Sequence, residues 1–334
     1  MQQDLQINIH TISGNQFIYN SQDTQDTIQT MINNVLPTRY QYSIYIENES
    51  EELLHTKLLS TLTPPYTLFG IETEVTEAIF DDYENLYDII KKNNAFQNTF
   101  ESLFNVSHIR ICNDNIETPV DINPIRYLSN ITTLYLYQIN LINLECISYI
   151  TNLEELTLGH CSNCEDISCL TNIKNLYIIN SKITNLISNN ELPNMKSLII
   201  LDMDSIEYIS AVGQMKNLYK LNIHSCPNIR DISPLQYCVD LIYIILKDMP
   251  LITDISVLEK TNKVEILFIH NITISNLLCL KELSELETLH IRKLQISNID
   301  SINNLDKLRE VYIHDCSCIK KLPSKISFTK SNIY

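Results

Sequence analysis

Residues 150–158 read ITNLEELTL, and this short pattern of apolar and polar positions decides the fold of the chain. Leu156 and Leu158 alternate with polar neighbours, which predicts a strand with one buried face. Before the strand, Ile150 and Leu153 follow a three-residue spacing of apolar positions, which is typical of a tight 3₁₀ turn. We therefore predict a unit of one turn and one strand, which is too small to bury its own apolar edge.

The same phrase occurs ten times between about Leu103 and Ile319, at intervals that are mostly 22 or 23 residues. Repeats of this length stack into a solenoid in which each unit covers its neighbour. Ten parallel strands spaced about 4.8 Å apart would form a concave sheet roughly 45 Å long. The last apolar residue of each predicted strand is Ile111, Leu136, Leu158, Ile178, Ile200, Ile223, Leu246, Ile269, Ile291 or Ile313.

The repeat resembles that of leucine-rich repeat proteins, above all the short 22-residue class found in bacterial internalins and in a regulatory subunit of protein phosphatase 1. The resemblance covers about two thirds of the chain and implies an α/β solenoid that binds partners on its concave side. The family usually places an inward Asn three residues after the last apolar strand position, and this chain does not. That departure leaves the exact subclass open. The position holds Cys161, Ser181, Met203, Cys226, Met249 and Cys316.

The second half of several repeats carries the triplet Asp-Ile-Ser at matching offsets, beginning at Asp166, Asp231 and Asp254. Asp and Ser side chains bond readily to nearby backbone N–H groups. We predict that these triplets cap the turns on the convex side, where Pro234 begins one of them.

The first hundred residues lack the repeat and carry 14 acidic and 4 basic residues. Their patterns predict a hairpin over 5–12 and 16–20, a helix over 23–35, a strand at 42–46, a short helix at 53–62 and a strand at 66–69. This order resembles a ubiquitin-like β-grasp, and an unspecific α+β cap is the alternative. We predict four regions: a small α+β domain at 1–74, a helical cap at 75–104, leucine-rich repeats at 105–320 and a tail or cap at 321–334.

Composition excludes several classes of function. Only four glycines occur, too few for a phosphate-binding loop or dinucleotide fingerprint, and no catalytic motif is present. The net charge of −16 disfavours nucleic-acid binding. Cys161 and Cys164 with His160 form only half of a zinc site, so we expect neither a metal nor a cofactor.

The abundance of Asn, Ile and Tyr indicates an AT-rich genome, such as that of a virus.

Neither a signal peptide nor a membrane span is recognisable in the sequence. We therefore expect a cytoplasmic monomer whose ten cysteines are reduced thiols.

Two columns of side chains are expected on the concave face. The first is an apolar and aromatic strip that we predict to bind a protein partner, because monomers rarely expose such a strip without use. Ordinary β-propensity of Tyr and Ile is the alternative. The predicted partner-binding residues are Tyr135, Tyr137, Tyr177, Ile179, Ile199, Leu201, Ile245, Phe268, His290 and Tyr312.

The second column is a basic stripe, which is a candidate site for an acidic peptide, a phosphate or the acidic N-terminal part of the protein itself. Its histidines would strengthen such a contact below about pH 6.5, and a solvated column without function is the alternative. The basic stripe consists of His224, Lys247, His270, Arg292 and His314.

Three functions follow from these observations. The first is an intracellular scaffold, without enzymatic activity, that holds a protein partner on the concave face. The second is an adaptor of the ubiquitin system, in which the N-terminal module docks and the repeats select a substrate. The third is a regulatory subunit of a phosphatase, which depends on fold analogy alone.

Overall fold

The computed structural model describes residues 90, 104–112, 119–316 and 318–319, and the strand backbone of 5–11, 16–21, 40–46 and 67–74. The repeats form a ten-stranded sheet whose order follows the chain. Every predicted last apolar strand residue is buried within it, so the predicted repeat is confirmed. The strands are β5 (His108–Cys112), β7 (Thr133–Tyr137), β9 (Glu155–Gly159), β10 (Asn175–Ile179), β11 (Ser197–Leu201), β12 (Lys220–His224), β13 (Tyr243–Met249), β14 (Ile266–Ile272), β15 (Thr288–Arg292) and β16 (Glu310–His314).

From β7 to β16 each strand pairs in parallel with the next, and equivalent residues of successive repeats stand opposite each other. Leu158, for example, is paired with Leu136 on one side and Ile178 on the other. Parallel strands of this kind lie about 4.8 Å apart. The register therefore turns each position of the repeat into a column of side chains that runs along the sheet.

The convex side is built from short 3₁₀ helices, as the three-residue spacing predicted. The Asp-Ile-Ser caps are also confirmed: the backbone N–H of Ser233 donates to Asp231 Oδ1 at 2.7 Å, and Ser168 and Ser256 donate in the same way to their aspartates. The 3₁₀ helices span Asn123–Tyr127, Leu144–Tyr149, Ser210–Gln214, Ser233–Tyr237, Ser256–Lys260, Leu278–Glu282 and Asp300–Ile302.

One small sheet was not predicted. Strands β6 (Pro119–Asp121) and β8 (Asn140–Ile142) pair with each other outside the ten-stranded sheet. Each has only three residues, so no alternating pattern distinguishes it from a loop.

A left-handed residue follows the fifth residue of each strand from β7 onward. These residues have φ between 46° and 56°, and none of them is glycine. Asn and Asp tolerate this conformation better than other side chains, and they fill five of the nine positions. The turn directs the next residue into the core. The left-handed residues are Gln138, His160, Asn180, Asp202, Ser225, Asp248, Asn271, Lys293 and Asp315.

The inward residues after these turns form a buried ladder that replaces the usual Asn. The Cys161 thiol donates to Leu136 O at 3.4 Å, and the Ser181 hydroxyl donates to Leu158 O at 3.1 Å. Ser181 Oγ also accepts the backbone N–H of Cys161 at 3.0 Å. Burial raises the pKa of Cys161 and Cys226 to about 12, so both thiols keep the proton that they donate. Small donors therefore satisfy carbonyls that an Asn amide would otherwise reach.

The N-terminal region contains a four-stranded sheet: β1 (Leu5–Thr11), β2 (Gln16–Ser21), β3 (Tyr40–Ile46) and β4 (Thr67–Glu74). These are the four predicted strands, and their order in the sheet is β2-β1-β4-β3. The central pair, β1 and β4, is parallel, whereas β2 and β3 pair antiparallel at the edges.

Several predicted elements fall outside the described residues. They are the helices at 23–35 and 53–62, the tail at 321–334 and most of the helical cap at 75–104. Within that cap Ile90 is helical and buried.

We predict that Ser181→Ala lowers the free energy of unfolding by about 1–3 kcal/mol, because the buried N–H of Cys161 loses its acceptor. Ser181→Cys is the matched control, since cysteine already serves at the same position of other repeats, and it should cost less than half as much. Urea unfolding followed by circular dichroism measures both variants. Equal losses, within about 0.5 kcal/mol, would show that the ladder makes no contribution through its hydrogen bonds.

Candidate protein-binding face

The predicted partner-binding residues lie on strands of the ten-stranded sheet and are exposed or half-buried, but the structure divides them into separate groups. Tyr177 and Ile179 on β10 pair with Ile199 and Leu201 on β11, and we call these four residues the aliphatic patch. Asn222 follows Ile199 in the same column and separates the patch from Ile245. Its Oδ1 is buried and accepts no hydrogen bond within the described part of the chain.

Beyond Asn222 lies a second group, which we call the ring ladder: Phe268, His290 and Tyr312. The rings of Phe268 and His290 stack with centroids 4.0 Å apart and an interplanar angle of 9°. His290 and Tyr312 stack at 4.0 Å and 14°. Burial and the neighbouring His314 lower the pKa of His290, so its ring is neutral at pH 7. The ring ladder is thus a continuous, half-buried aromatic surface across three strands.

The third group surrounds β9. Tyr135 is 38% exposed, and its hydroxyl donates to Glu155 Oε1 at 3.3 Å. Tyr137 covers Gly159, where an added Cβ would lie 2.4 Å from the Tyr137 ring. Gly159 therefore leaves room for that ring, which also makes an edge contact with His160 at 4.9 Å.

The basic stripe lies on successive strands from β12 to β16, as predicted. Two of its members have acidic partners that the sequence analysis missed. His224 Nε2 lies 3.2 Å from Asp248 Oδ2, and Arg292 Nε donates to Asp315 Oδ2 at 3.1 Å. Both aspartates occupy the left-handed position that follows the fifth strand residue of a repeat, and that position was the signal. The basic stripe therefore carries some of its own counter-charge.

One expectation about the histidines is corrected. His270 is paired in register with Lys247 and Arg292. Burial, followed by His290 and these two cations, lowers the pKa of His270 to about 4, although Asp248 acts in the opposite direction. His270 therefore does not gain a charge just below pH 6.5, and it contributes none to the basic stripe until the solution is much more acidic.

Within the residues that the structure describes, no group of three or more His, Cys, Asp or Glu residues is arranged to hold a metal ion. The described residues also include no helix with the length and apolar character needed to cross a bilayer. All ten cysteines are free thiols. Burial raises the pKa of Cys169, Cys238 and Cys279 to about 12, which makes these thiols poor nucleophiles at pH 7.

Comparison with known proteins agrees with this architecture. The chain is similar to the structure of an internalin from Listeria monocytogenes, with 21% identity, a TM-score of 0.53, and coverage of 70% of this chain and 84% of that one. It is also similar to internalin C2 of the same organism, with 21% identity, a TM-score of 0.50, and coverage of 70% and 93%. The fold is therefore that of a leucine-rich repeat protein. No protein-family profile and no curated protein sequence matches the chain.

We predict that acidification destabilises the end of the solenoid that contains His270. Because the folded-state pKa is lowered from 6.5 to about 4, the unfolded chain takes up the proton first. Stability is then complete above about pH 6.5 and is lost as the pH falls toward 4. Between pH 7 and pH 5, wild type should lose about 1–2 kcal/mol more than His270→Gln.

Urea unfolding of both proteins at the two pH values measures this difference. The comparison at pH 7 corrects for any direct effect of the substitution. If both proteins lose the same stability, His270 is not a buried neutral imidazole.

Proposed function

We propose that this protein is an interaction scaffold, without enzymatic activity, that binds a protein partner on the concave face of its solenoid. The ring ladder is the observation that carries the proposal. Phe268, His290 and Tyr312 stack at 4.0 Å on adjacent strands and remain partly open to solvent. Tyr and Phe are the side chains that most often anchor protein interfaces, and their ring surfaces are most useful when a partner covers them.

The sheet favours binding because it holds these side chains in place before a partner arrives. Each strand is paired on both sides between β9 and β15, and the residues beneath the concave face, such as Leu267 and Leu289, are fully buried. A partner therefore orders few additional side chains when it binds, which lowers the entropic cost of association. The aliphatic patch extends the apolar surface two strands beyond Asn222.

We also propose that the protein is cytoplasmic and monomeric. The ten free thiols support a reducing compartment, because secreted proteins of this cysteine content commonly form disulfides.

We predict that Tyr135→Ala, Tyr177→Ala and Phe268→Ala, combined in one chain, abolish capture of a specific partner from native cell extract. Loss of central aromatic anchors typically costs at least about 2 kcal/mol each, enough to weaken binding by tenfold or more per residue. Affinity capture with quantitative mass spectrometry compares this variant with wild type, and circular dichroism verifies that both fold.

The matched control replaces two tyrosines that lie outside the ten-stranded sheet, Tyr208 and Tyr237, with alanine. These residues are 57% and 55% exposed, more than Tyr135, and they lie away from the concave columns. The control should capture the same proteins as wild type. If the concave variant captures the same proteins as wild type, the concave face is not the binding surface.

The strand order of the N-terminal sheet supports a second candidate, the ubiquitin-system adaptor. A β-grasp places its first and last strands side by side and parallel at the centre of the sheet, and β1 and β4 have this relation. In that case the N-terminal module docks to the conjugation machinery, and the concave face selects the substrate.

A chain truncated to residues 76–334 tests this candidate. It should lose captured components of the ubiquitin machinery and retain proteins that depend on Tyr177 and Phe268. Recovery of the same machinery without residues 1–75 rules out a docking role for the module.

A further inference from the structure

Strand β9 runs between two tyrosine-bearing strands but carries no large side chain of its own in the central column. Thr157 is paired with Tyr135 of β7 on one side and Tyr177 of β10 on the other. The small threonine fills little of the width between these two positions, and no ring contact joins Tyr135 and Tyr177 among the described residues. We call this space the β9 slot.

The spacing of the sheet sets the width of the β9 slot. Strands two positions apart lie about 9.6 Å from each other. A side chain inserted between two rings needs two van der Waals contacts of about 3.5–4 Å, or roughly 7–8 Å in all. One extended side chain therefore fits between Tyr135 and Tyr177, whereas an aromatic ring on β9 itself would fill the space completely.

The two ends of the β9 slot differ in chemistry. At one end the Tyr137 ring lies over Gly159 and closes the slot with an apolar surface. At the other end Glu155, two residues before Thr157 on the same strand, presents its carboxylate. That carboxylate accepts the Tyr135 hydroxyl at 3.3 Å and has no ion pair within the described part of the chain.

We propose that the β9 slot binds a basic side chain, lysine or arginine, of the protein partner, with the cation between the Tyr135 and Tyr177 rings and its N–H groups donating to Glu155. This inference depends on the proposed function, because it names the chemistry of one anchor on the concave face.

Three properties select a cation over other side chains. The faces of tyrosine rings attract positive charge, and the attraction grows when the cation is partly desolvated. A charged donor makes a shorter and stronger hydrogen bond to Glu155 than the tyrosine hydroxyl at 3.3 Å makes. An acidic side chain is repelled by the same carboxylate. Burial, followed by Glu155, raises the pKa of both Tyr135 and Tyr177, so their hydroxyls stay neutral at pH 7.

Nuclear magnetic resonance of the full-length chain with ¹³C-labelled tyrosine rings tests the proposal. The probes are acetyl-Gly-Arg-Gly-amide and acetyl-Gly-Lys-Gly-amide, and the controls replace the basic residue with citrulline or norleucine. At least one basic peptide should shift the Tyr135 and Tyr177 signals saturably, with an affinity about tenfold higher than that of its uncharged control.

Three variants make the test specific. Glu155→Gln should weaken binding of the basic peptide about tenfold and remove the preference over its uncharged control. Glu310→Gln is the matched control, because Glu310 also accepts a tyrosine hydroxyl, that of Tyr312 at 3.2 Å, and it should leave binding unchanged. Thr157→Tyr should abolish binding by filling the slot, and other strands already carry tyrosine in this column.

The absence of saturable shifts at Tyr135 and Tyr177, equal affinity for the uncharged controls, or unchanged binding in Glu155→Gln overturns the proposal. These outcomes are separate from those of the capture experiment. A partner that depends on Phe268 while the β9 slot ignores basic peptides refutes only the slot. A slot that binds basic peptides without any partner on the concave face refutes the scaffold.

Discussion

The whole structure depends on one constraint: no single repeat can bury its own apolar edge. Leu158 is fully buried because Leu136 and Ile178 stand on either side of it in neighbouring strands. The same relation holds along the sheet, so the strands have to stay parallel and in register. In each repeat from β7 onward, a left-handed residue follows the fifth strand residue and returns the next side chain to the core. The same turn at every repeat keeps the stacking regular. The cysteine, serine and methionine ladder then satisfies or covers the backbone at that point.

The register that solves the packing problem also creates the candidate binding surface. Equivalent positions of successive repeats become neighbours at about 4.8 Å, so three well-placed rings form a stack and a single small residue forms a slot. Phe268, His290 and Tyr312 illustrate the first case, and Thr157 between two tyrosines illustrates the second. The columns therefore determine the shape of the candidate binding surface, and a substitution of one residue changes that shape at one repeat.

The repeat was predictable from the sequence because its signal is periodic and is set by burial. Ile111 through Ile313 occupy the predicted inward positions, and the convex Asp-Ile-Ser caps were predictable from local chemistry. The ion pairs of the basic stripe were not predicted, because Asp248 and Asp315 lie at the left-handed turn positions of their repeats and reach sideways to an adjacent repeat. The low pKa of His270 was not predicted either, because it comes first from burial in the stacked repeats and then from His290, Lys247 and Arg292, which lie twenty or more residues away along the chain.

The most direct test of concave-face binding is site-specific photo-crosslinking in native cell extract. A benzophenone amino acid placed at position 177 or 268 lies on the concave face, and one placed at 208 or 237 lies among the convex exposed tyrosines. Binding on the concave face predicts a discrete crosslinked product from 177 and 268 and none from 208 and 237. A product from the convex positions alone would contradict it.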